Sequence, residues 1–351
     1  MMRIVHLIWS FKTGGIETML IDIVNEQVKV CDVYIYVVND NYDLDLVRRV
    51  DKKVKIVLCR RNPGSNNPYP LLLLNLKLLF CRPDIVHCHQ GNLSKIVWLP
   101  VKKVLTIHNT HSTTEGYSKY LKLFCISKAV EEYTKNQGYN NCMVVYNGIH
   151  TEMISEKQYY PLLSGKLRVI CVGRLHKDKG QNLIIEALNE LKMNHRVLDV
   201  TIDFVGDGDE REFLEKKVRQ YYLEDFVNFL GMKPRSWVYS RLKNYDLYVL
   251  PSISEGFGLS LAEACAAKLA VLTCDLAGPM EVIDNGRLGM CFTSGDALSL
   301  AENIKSFMEN GPNVKKIEEA YGFVKEKFDI KKTAETYICE YKKLENDKIE
   351  R

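Results

Sequence analysis

Two doubly wound parallel-sheet α/β domains in tandem are what the sequence predicts, on three observations. Short apolar runs rich in Val, Ile and Tyr alternate with amphipathic segments along the chain, the rhythm of strands buried on both faces and separated by helices. A polar, irregular stretch from Thr151 to Lys166, holding Pro161 and Gly165, interrupts that rhythm and reads as a linker. The 351 residues exceed an ordinary domain and divide into two of usual size, each able to bury its own core. The expected domains are 1–155 and 156–329. Residues 330–351 form a C-terminal helix in which Thr333, Tyr337, Ile338 and Tyr341 recur at helical spacing, either closing the second domain or crossing back to the first.

The front-half strands are RIVHLI, DVYIYVV, VKIVL, DIVHC, VLTIH, KLFCI and MVVY, each followed by polar or helix-period sequence. The back half repeats the pattern with RVICVG, LDVTIDFVG, FVNFLG, YDLYVLP, LAVLTC and LGMCF. No repeat of 20 to 50 residues is visible, which argues against a solenoid. With 46% hydrophobic and 26% charged residues the chain is globular rather than disordered.

The net charge of +4 is uneven: residues 1–155 hold 19 Lys and Arg against 13 Asp and Glu, so this half is +6 and the remainder −2. Such an excess suits an anionic surface or acceptor and is too thin for a nucleic-acid footprint. Eleven cysteines without a CxxC pair read as reduced thiols of a cytosolic protein. The most apolar run, Pro70 to Phe80, is too short to span a bilayer and carries Lys77, so it reads as a core or interfacial helix. The N-terminus lacks the features of a signal peptide, and a cytoplasmic location is expected, with association at the inner membrane face.

In doubly wound sheets ligands sit beyond the carboxyl ends of the strands. After RVICV comes Gly173-Arg174-Leu175-His176-Lys177-Asp178-Lys179-Gly180, then a helix from Gln181 to Met193. Arg174, Lys179 and the helix N-terminus can converge on one anion such as a diphosphate, against the plainer reading of two solvated cations. In SEGFGLSLAEA, Gly256 and Gly258 permit a tight turn that leaves Glu255 in the loop, while Glu263 lies further down the following helix, where a carboxylate can accept ribose hydroxyls. FVGDGDER starts like a dinucleotide fingerprint but has Arg211 where the third glycine belongs, so no nicotinamide site is expected. The triplets Asp43-Leu44-Asp45 and Asp207-Gly208-Asp209 are too common to imply a metal when cations already supply countercharge.

With VGRLHKDKG, FVGDGDER, the segment Phe229 to Gly231 and the E-x7-E arrangement of EGFGLSLAEA, the chain resembles a family 4 (group 1) retaining glycosyltransferase of the GT-B fold over nearly its whole length. The resemblance implies two Rossmann-like domains facing a central cleft and a sugar moved from a nucleotide-diphosphate sugar with retention. A UDP-sugar is favoured, with a GDP-sugar as the alternative; the expected acceptor is a lipid-linked glycan in bacterial surface-polysaccharide assembly. It implies no required cofactor or metal. Arg174, Lys179, Glu255 and His108 are then the catalytic candidates. Gly14, Gly15, Gly173, Gly206, Gly231, Gly256, Phe257, Gly258, Leu259 and Glu263 are the donor-binding candidates, and His89, Asn109 and His111 lie on the acceptor side. In PDIVHCH, alternation along a strand sends His87 and His89 one way and Cys88 the other, so the three do not chelate one ion; His87 reads as structural. The usual acidic residue after Asn147-Gly148-Ile149 is replaced by His150. The competing classes are a GT-B-fold sugar-nucleotide epimerase and a non-catalytic nucleotide-sugar-binding protein.

Overall fold

The computed structural model describes residues 1–12, 14–111, 113–158, 165–194 and 199–346. Pro161 of the expected linker and residues 347–351 lie outside them. The chain divides into two compact units, residues 1–148 with the segment from 330 onward, and residues 149–329.

The first unit runs β1 (Arg3–Ile8), α1 (Gly15–Gln27), β2 (Asp32–Asn39), α2 (Leu44–Arg49), β3 (Lys55–Arg61), α3 (Tyr69–Cys81), β4 (Ile85–Cys88), β5 (Lys103–Ile107), β6 (Lys122–Cys125), α4 (Lys128–Asn136) and β7 (Cys142–Val144). Its seven strands pair in parallel in the order β3-β2-β1-β4-β5-β6-β7. Sheet order reverses between β1 and β4, the switch point where ligand loops gather. Apolar residues on β1, β2 and β4 are almost wholly buried, as a sheet covered on both faces requires. Helix α3 turns Leu74 and Leu78 inward but leaves Tyr69, Leu72, Leu76, Leu79 and Phe80 exposed along one face. Exposed Trp98 lies alongside, its backbone N–H held by Asn75 Oδ1 at 2.8 Å.

The second unit runs β8 (Leu167–Val172), α5 (Gln181–Asn194), β9 (Val200–Val205), α6 (Arg211–Gln220), β10 (Val227–Gly231), α7 (Arg235–Arg241), β11 (Leu247–Leu250), α8 (Leu259–Ala266), β12 (Ala270–Cys274), α9 (Ala277–Val282), β13 (Met290–Phe292), α10 (Ala297–Asn310) and α11 (Val314–Lys327). Its six parallel strands are ordered β10-β9-β8-β11-β12-β13, with the reversal between β8 and β11. Asp246, just before β11, ties this sheet to the chain entering the unit: Lys157 Nζ reaches its Oδ1 at 2.9 Å, and Arg168 donates to both its oxygens at 3.2 Å. Burial pushes this carboxyl up, but the hydrogen bonds from Arg168 and Lys157 outweigh burial and hold it below its usual value.

Helix α12 (Ile330–Asn346) belongs to the first unit. It packs on α1 and buries Tyr337 and Tyr341 in the same core as Ile4, Val24 and Phe124, with the Tyr337 ring edge-on to Phe124 at 5.0 Å. The helical spacing of its apolar residues shows that one face is buried, and the fold supplies the partner. Where the chain passes between units its two crossings run side by side: Ile149 N–H donates to Phe328 O at 2.8 Å, and a Cβ on Gly148 would stand 2.6 Å from Ile330 Cα.

Candidate active site

At the switch point of the second unit, the loop after β8 and the loop after β11 lock together. The backbone N–H groups of Ile253 and Ser254 both donate to Asp178 O, at 2.8 and 3.1 Å. Gly180, with φ +64°, comes so close that an added Cβ would lie 2.1 Å from Pro251 O. The loop after β9 closes the other side. Leu175 N–H donates to Asp207 O at 3.0 Å, and Gly206, with φ +141°, would bring a Cβ to 2.0 Å from Gly173 O. These glycines are required by contact between backbones, which fixes the loops that carry the charged groups.

Within this frame Lys179 Nζ meets Glu255 Oε2 at 2.7 Å, both side chains partly buried. Sequence reasoning named the two residues separately; the fold makes them a pair. The Arg174 side chain is exposed and forms no ion pair among the described residues, while its carbonyl accepts from Gln181 Nε2 at 2.9 Å. One loop thus offers an uncommitted guanidinium and an ammonium held by a carboxylate, an arrangement that can receive an anionic group as Glu255 gives way.

Glu263, in the second turn of α8, has partners that sequence reasoning did not find. Its Oε1 accepts from Tyr239 Oη at 2.9 Å and from Arg235 Nη2 at 3.4 Å, and Arg235 Nε also donates to Tyr239 Oη at 2.5 Å. Arg235 and Tyr239 are four apart on α7, so their side chains share one face, and that spacing was the available signal. The half-buried Glu263 carboxylate is thus positioned and charge-balanced before any ligand arrives.

Phe257, a donor-binding candidate, turns its side chain into the core. Its side chain is fully buried, edge-on to Phe328 at 5.0 Å, so it anchors the loop and only its backbone is available to a ligand. Gly256 is contacted from behind: a Cβ on Gly278 would lie 2.6 Å from its carbonyl carbon. Gly258 caps α8, Leu259 is its first residue, and Gly231 O accepts from Gly206 N–H at 2.9 Å. Asp207 bonds Gly208 N–H at 2.8 Å and Arg211 at 3.2 Å, and Asp43 caps α2 by accepting from Asp45 N–H at 2.8 Å.

In the first unit Gly14 and Gly15 open α1. A Cβ on Gly14 would lie 2.5 Å from Glu17 Oε2, so the carboxylate of Glu17 already leans over this N-terminus, and burial raises its pKa. His108 follows β5, half-buried, with its imidazole pushed down to about 4 by the surrounding protein. Asn109 and His111 are exposed, and Asn109 Oδ1 accepts from His111 N–H at 3.0 Å. His89 corrects another expectation. It is 2% exposed and spends both ring nitrogens on neighbours, His6 Nδ1 at 3.1 Å and His108 Nε2 at 3.4 Å, so it stands behind His108 instead of meeting an acceptor. His87 is structural, bonded to Tyr341 Oη at 2.6 Å and Thr106 Oγ1 at 2.7 Å. His6, which the sequence reading passed over, completes the cluster through Gln27 Oε1 at 2.7 Å. Ligand atoms of His6, His87 and His89 lie within 4.8 Å of one another, a spacing a metal ion could use, yet each ring already has two protein partners.

Two parallel-sheet α/β units, the second with glycine-locked loops presenting Arg174, the Lys179–Glu255 pair and Glu263 at its switch point, define a glycosyltransferase of the GT-B fold class. The chain belongs to the family 4, group 1 glycosyltransferases: "Glycosyltransferase Family 4" matches residues 13–153 and "Glycosyl transferases group 1" matches residues 154–321. Among its relatives, an uncharacterized glycosyltransferase, MJ1178, of Methanocaldococcus jannaschii is 24% identical over 72% of this chain and 75% of its own. The amylovoran biosynthesis glycosyltransferase AmsK of Erwinia amylovora is 33% identical over 38% of this chain and 34% of its own. In fold the chain is similar to Anabaena Alr3699/HepE, solved in complex with UDP and glucose, with a TM-score of 0.82 at 19% identity over 98% of this chain and all of that one. No helix among the described residues is long and apolar enough to cross a membrane.

Proposed function

We propose that this glycosyltransferase takes a nucleotide-diphosphate sugar, preferentially a UDP-sugar, and transfers the sugar with retention to a hydroxyl of a lipid-linked glycan in surface-polysaccharide synthesis. The observation that carries the donor half is the switch-point loop pair of the second unit, with cations for a diphosphate and a positioned carboxylate for a ribose. A structural neighbour solved with UDP-glucose supports the choice of uridine, and relatives named for amylovoran and colanic acid synthesis support the choice of pathway. Arg174 and Lys179 stabilise the diphosphate as the bond from sugar C1 to the β-phosphate oxygen breaks. The acceptor oxygen bonds to C1 on the same face and its proton passes to the departing phosphate oxygen, so no protein base is consumed. Glu255 holds Lys179 in place before the donor binds, and Glu263 takes the ribose hydroxyls. His108 contacts the transferred sugar, and Asn109 and His111 serve the acceptor. The cationic pair does the work of a divalent ion, so none is required. The exposed apolar stripe of α3, on the unit with excess positive charge, gives the protein a surface for the inner leaflet.

A thermal-shift screen of UDP- and GDP-sugars tests the donor, since a ligand at 100 times its dissociation constant adds about 2.7 kcal/mol. NMR of the product formed from the best binder tests the anomeric outcome. Stabilisation by UDP-sugars and a product of unchanged anomeric configuration are expected; preferential stabilisation by GDP-sugars would overturn the donor assignment, and an inverted product the mechanism.

A further inference from the structure

We propose that Gln27, His6 and His89 are positioning residues that set the tautomer of His108, holding its proton on Nε2 and leaving Nδ1 as the acceptor it offers a substrate hydroxyl. The four side chains form an unbroken line, Gln27 Oε1 to His6 Nε2 at 2.7 Å, His6 Nδ1 to His89 Nε2 at 3.1 Å and His89 Nδ1 to His108 Nε2 at 3.4 Å. His6 and His89 are buried, 0% and 2% exposed, and among the described residues no acidic side chain bonds any ring in the line. Burial holds His6 and His108 down to about 4 and His89 well below its ordinary value, so near neutral pH each ring carries one proton.

A neutral imidazole whose two nitrogens both hydrogen-bond must donate through one and accept through the other. The line therefore has a direction, and one fixed end decides it. That end is the Gln27 amide oxygen, which only accepts. His6 donates to it through Nε2, which makes His6 Nδ1 an acceptor; His89 must then donate through Nε2, and His108 likewise. His108 Nδ1 has no partner among the described residues. The reversed pattern would need the Gln27 amide turned to present its NH2 to His6, against the orientation in which Oε1 faces that ring at 2.7 Å. His87 shows by contrast why Gln27 matters. It stacks on His89 at 4.6 Å between ring centres, but its partners Tyr341 and Thr106 are hydroxyls that donate or accept equally well, so nothing fixes its tautomer from outside.

The functional half of this inference rests on the proposed reading that His108 meets the transferred sugar; the tautomer half does not. Long-range ¹H–¹⁵N correlation spectra of histidine-labelled protein at pH 7.5 test the tautomer directly. Expected in the wild type is His108 with Nε2 protonated and Nδ1 bare. Gln27→Glu keeps an acceptor at the line's end and should preserve that pattern, while Gln27→Leu removes it and should average the two His108 nitrogens. With UDP-glucose as the probe donor, Gln27→Leu should lower kcat/KM roughly tenfold, the equivalent of one hydrogen bond, and Gln27→Glu should recover most of it. A wild-type spectrum with Nδ1 protonated overturns the proposal without recourse to any variant. So does a folded Gln27→Leu protein whose His108 signals are unchanged. If the tautomers behave as expected but saturating UDP-glucose leaves the His108 signals unmoved, the tautomer line stands and the placement of His108 at the sugar falls.

Discussion

Replacing Glu263 with alanine should weaken the bare nucleoside diphosphate as much as the whole nucleotide-sugar. In the free protein Glu263 Oε1 is held by Tyr239 at 2.9 Å and Arg235 at 3.4 Å, so the carboxylate enters binding already oriented and loses little entropy when a ribose arrives. Hydrogen bonds to a charged group contribute about 1.5 to 3 kcal/mol, which corresponds to roughly 10- to 150-fold in dissociation constant. Tyr239→Phe removes one support while leaving the carboxylate, and should cost only several-fold. Tyr239 is 3% exposed, so the alanine variant also takes away the acceptor of its hydroxyl, which keeps the bond from Arg235 Nε, and should lose about 1 kcal/mol of stability in the second unit. Titration calorimetry with UDP and with a UDP-sugar, on protein checked for folding by circular dichroism, reads both effects. Unchanged UDP affinity in folded Glu263→Ala, or a loss confined to the UDP-sugar, would refute the ribose assignment.

Three further outcomes are expected. His6 has its folded-state value lowered from 6.5 to about 4, so the unfolded chain takes up a proton that the folded ring refuses; stability is complete above pH 6.5 and falls between pH 6.5 and about 4, by about 3 kcal/mol from His6 alone. Urea unfolding followed at Trp9 and Trp98 should show this loss, a His6→Asn variant should lose only the His6 share and keep that of His87, His89 and His108, and a wild-type midpoint constant from pH 7.5 to 5 would contradict it. Gly206→Ala, where an added Cβ would meet Gly173 O at 2.0 Å, should displace the donor loops, cost at least about 2 kcal/mol and lower UDP affinity; wild-type melting and binding would show that these loops yield freely. Transfer to a soluble acceptor analogue should persist in excess chelator, and complete loss restored by magnesium or manganese would establish a metal requirement and return attention to Asp43, Asp45, Asp207 and Asp209.

Much of this architecture was legible in the sequence because parallel strands buried on both faces leave compact apolar runs, and their alternation with helices names the fold class before any contact is known. The switch-point loops were legible too, since Gly180 of VGRLHKDKG and Gly206 and Gly208 of FVGDGDER occupy backbone contacts that only glycine fits. What was hidden depends on tertiary adjacency. The spacing of Tyr337 and Tyr341 could not say which core α12 would enter. Phe257 lies inside the E-x7-E stretch but owes its place to Phe328, seventy-one residues on. His6 stands alone in an apolar strand, and only the pairing of β1 with β4 sets it beside His87.

The central claim is that Arg174 and Lys179 stabilise a departing diphosphate, and steady-state transfer by Arg174→Met and Lys179→Met with a UDP-sugar donor tests it most directly. Because this charge develops only as the bond to C1 breaks, kcat and kcat/KM should fall together, by 100-fold or more on the scale of about 2.7 to 4 kcal/mol for a lost oxyanion contact, while direct titration of the donor changes far less. Lys179→Met also leaves Glu255 without its 2.7 Å partner, so it should be the more damaging of the two. Wild-type kcat in both variants, with only a raised KM, would contradict the account.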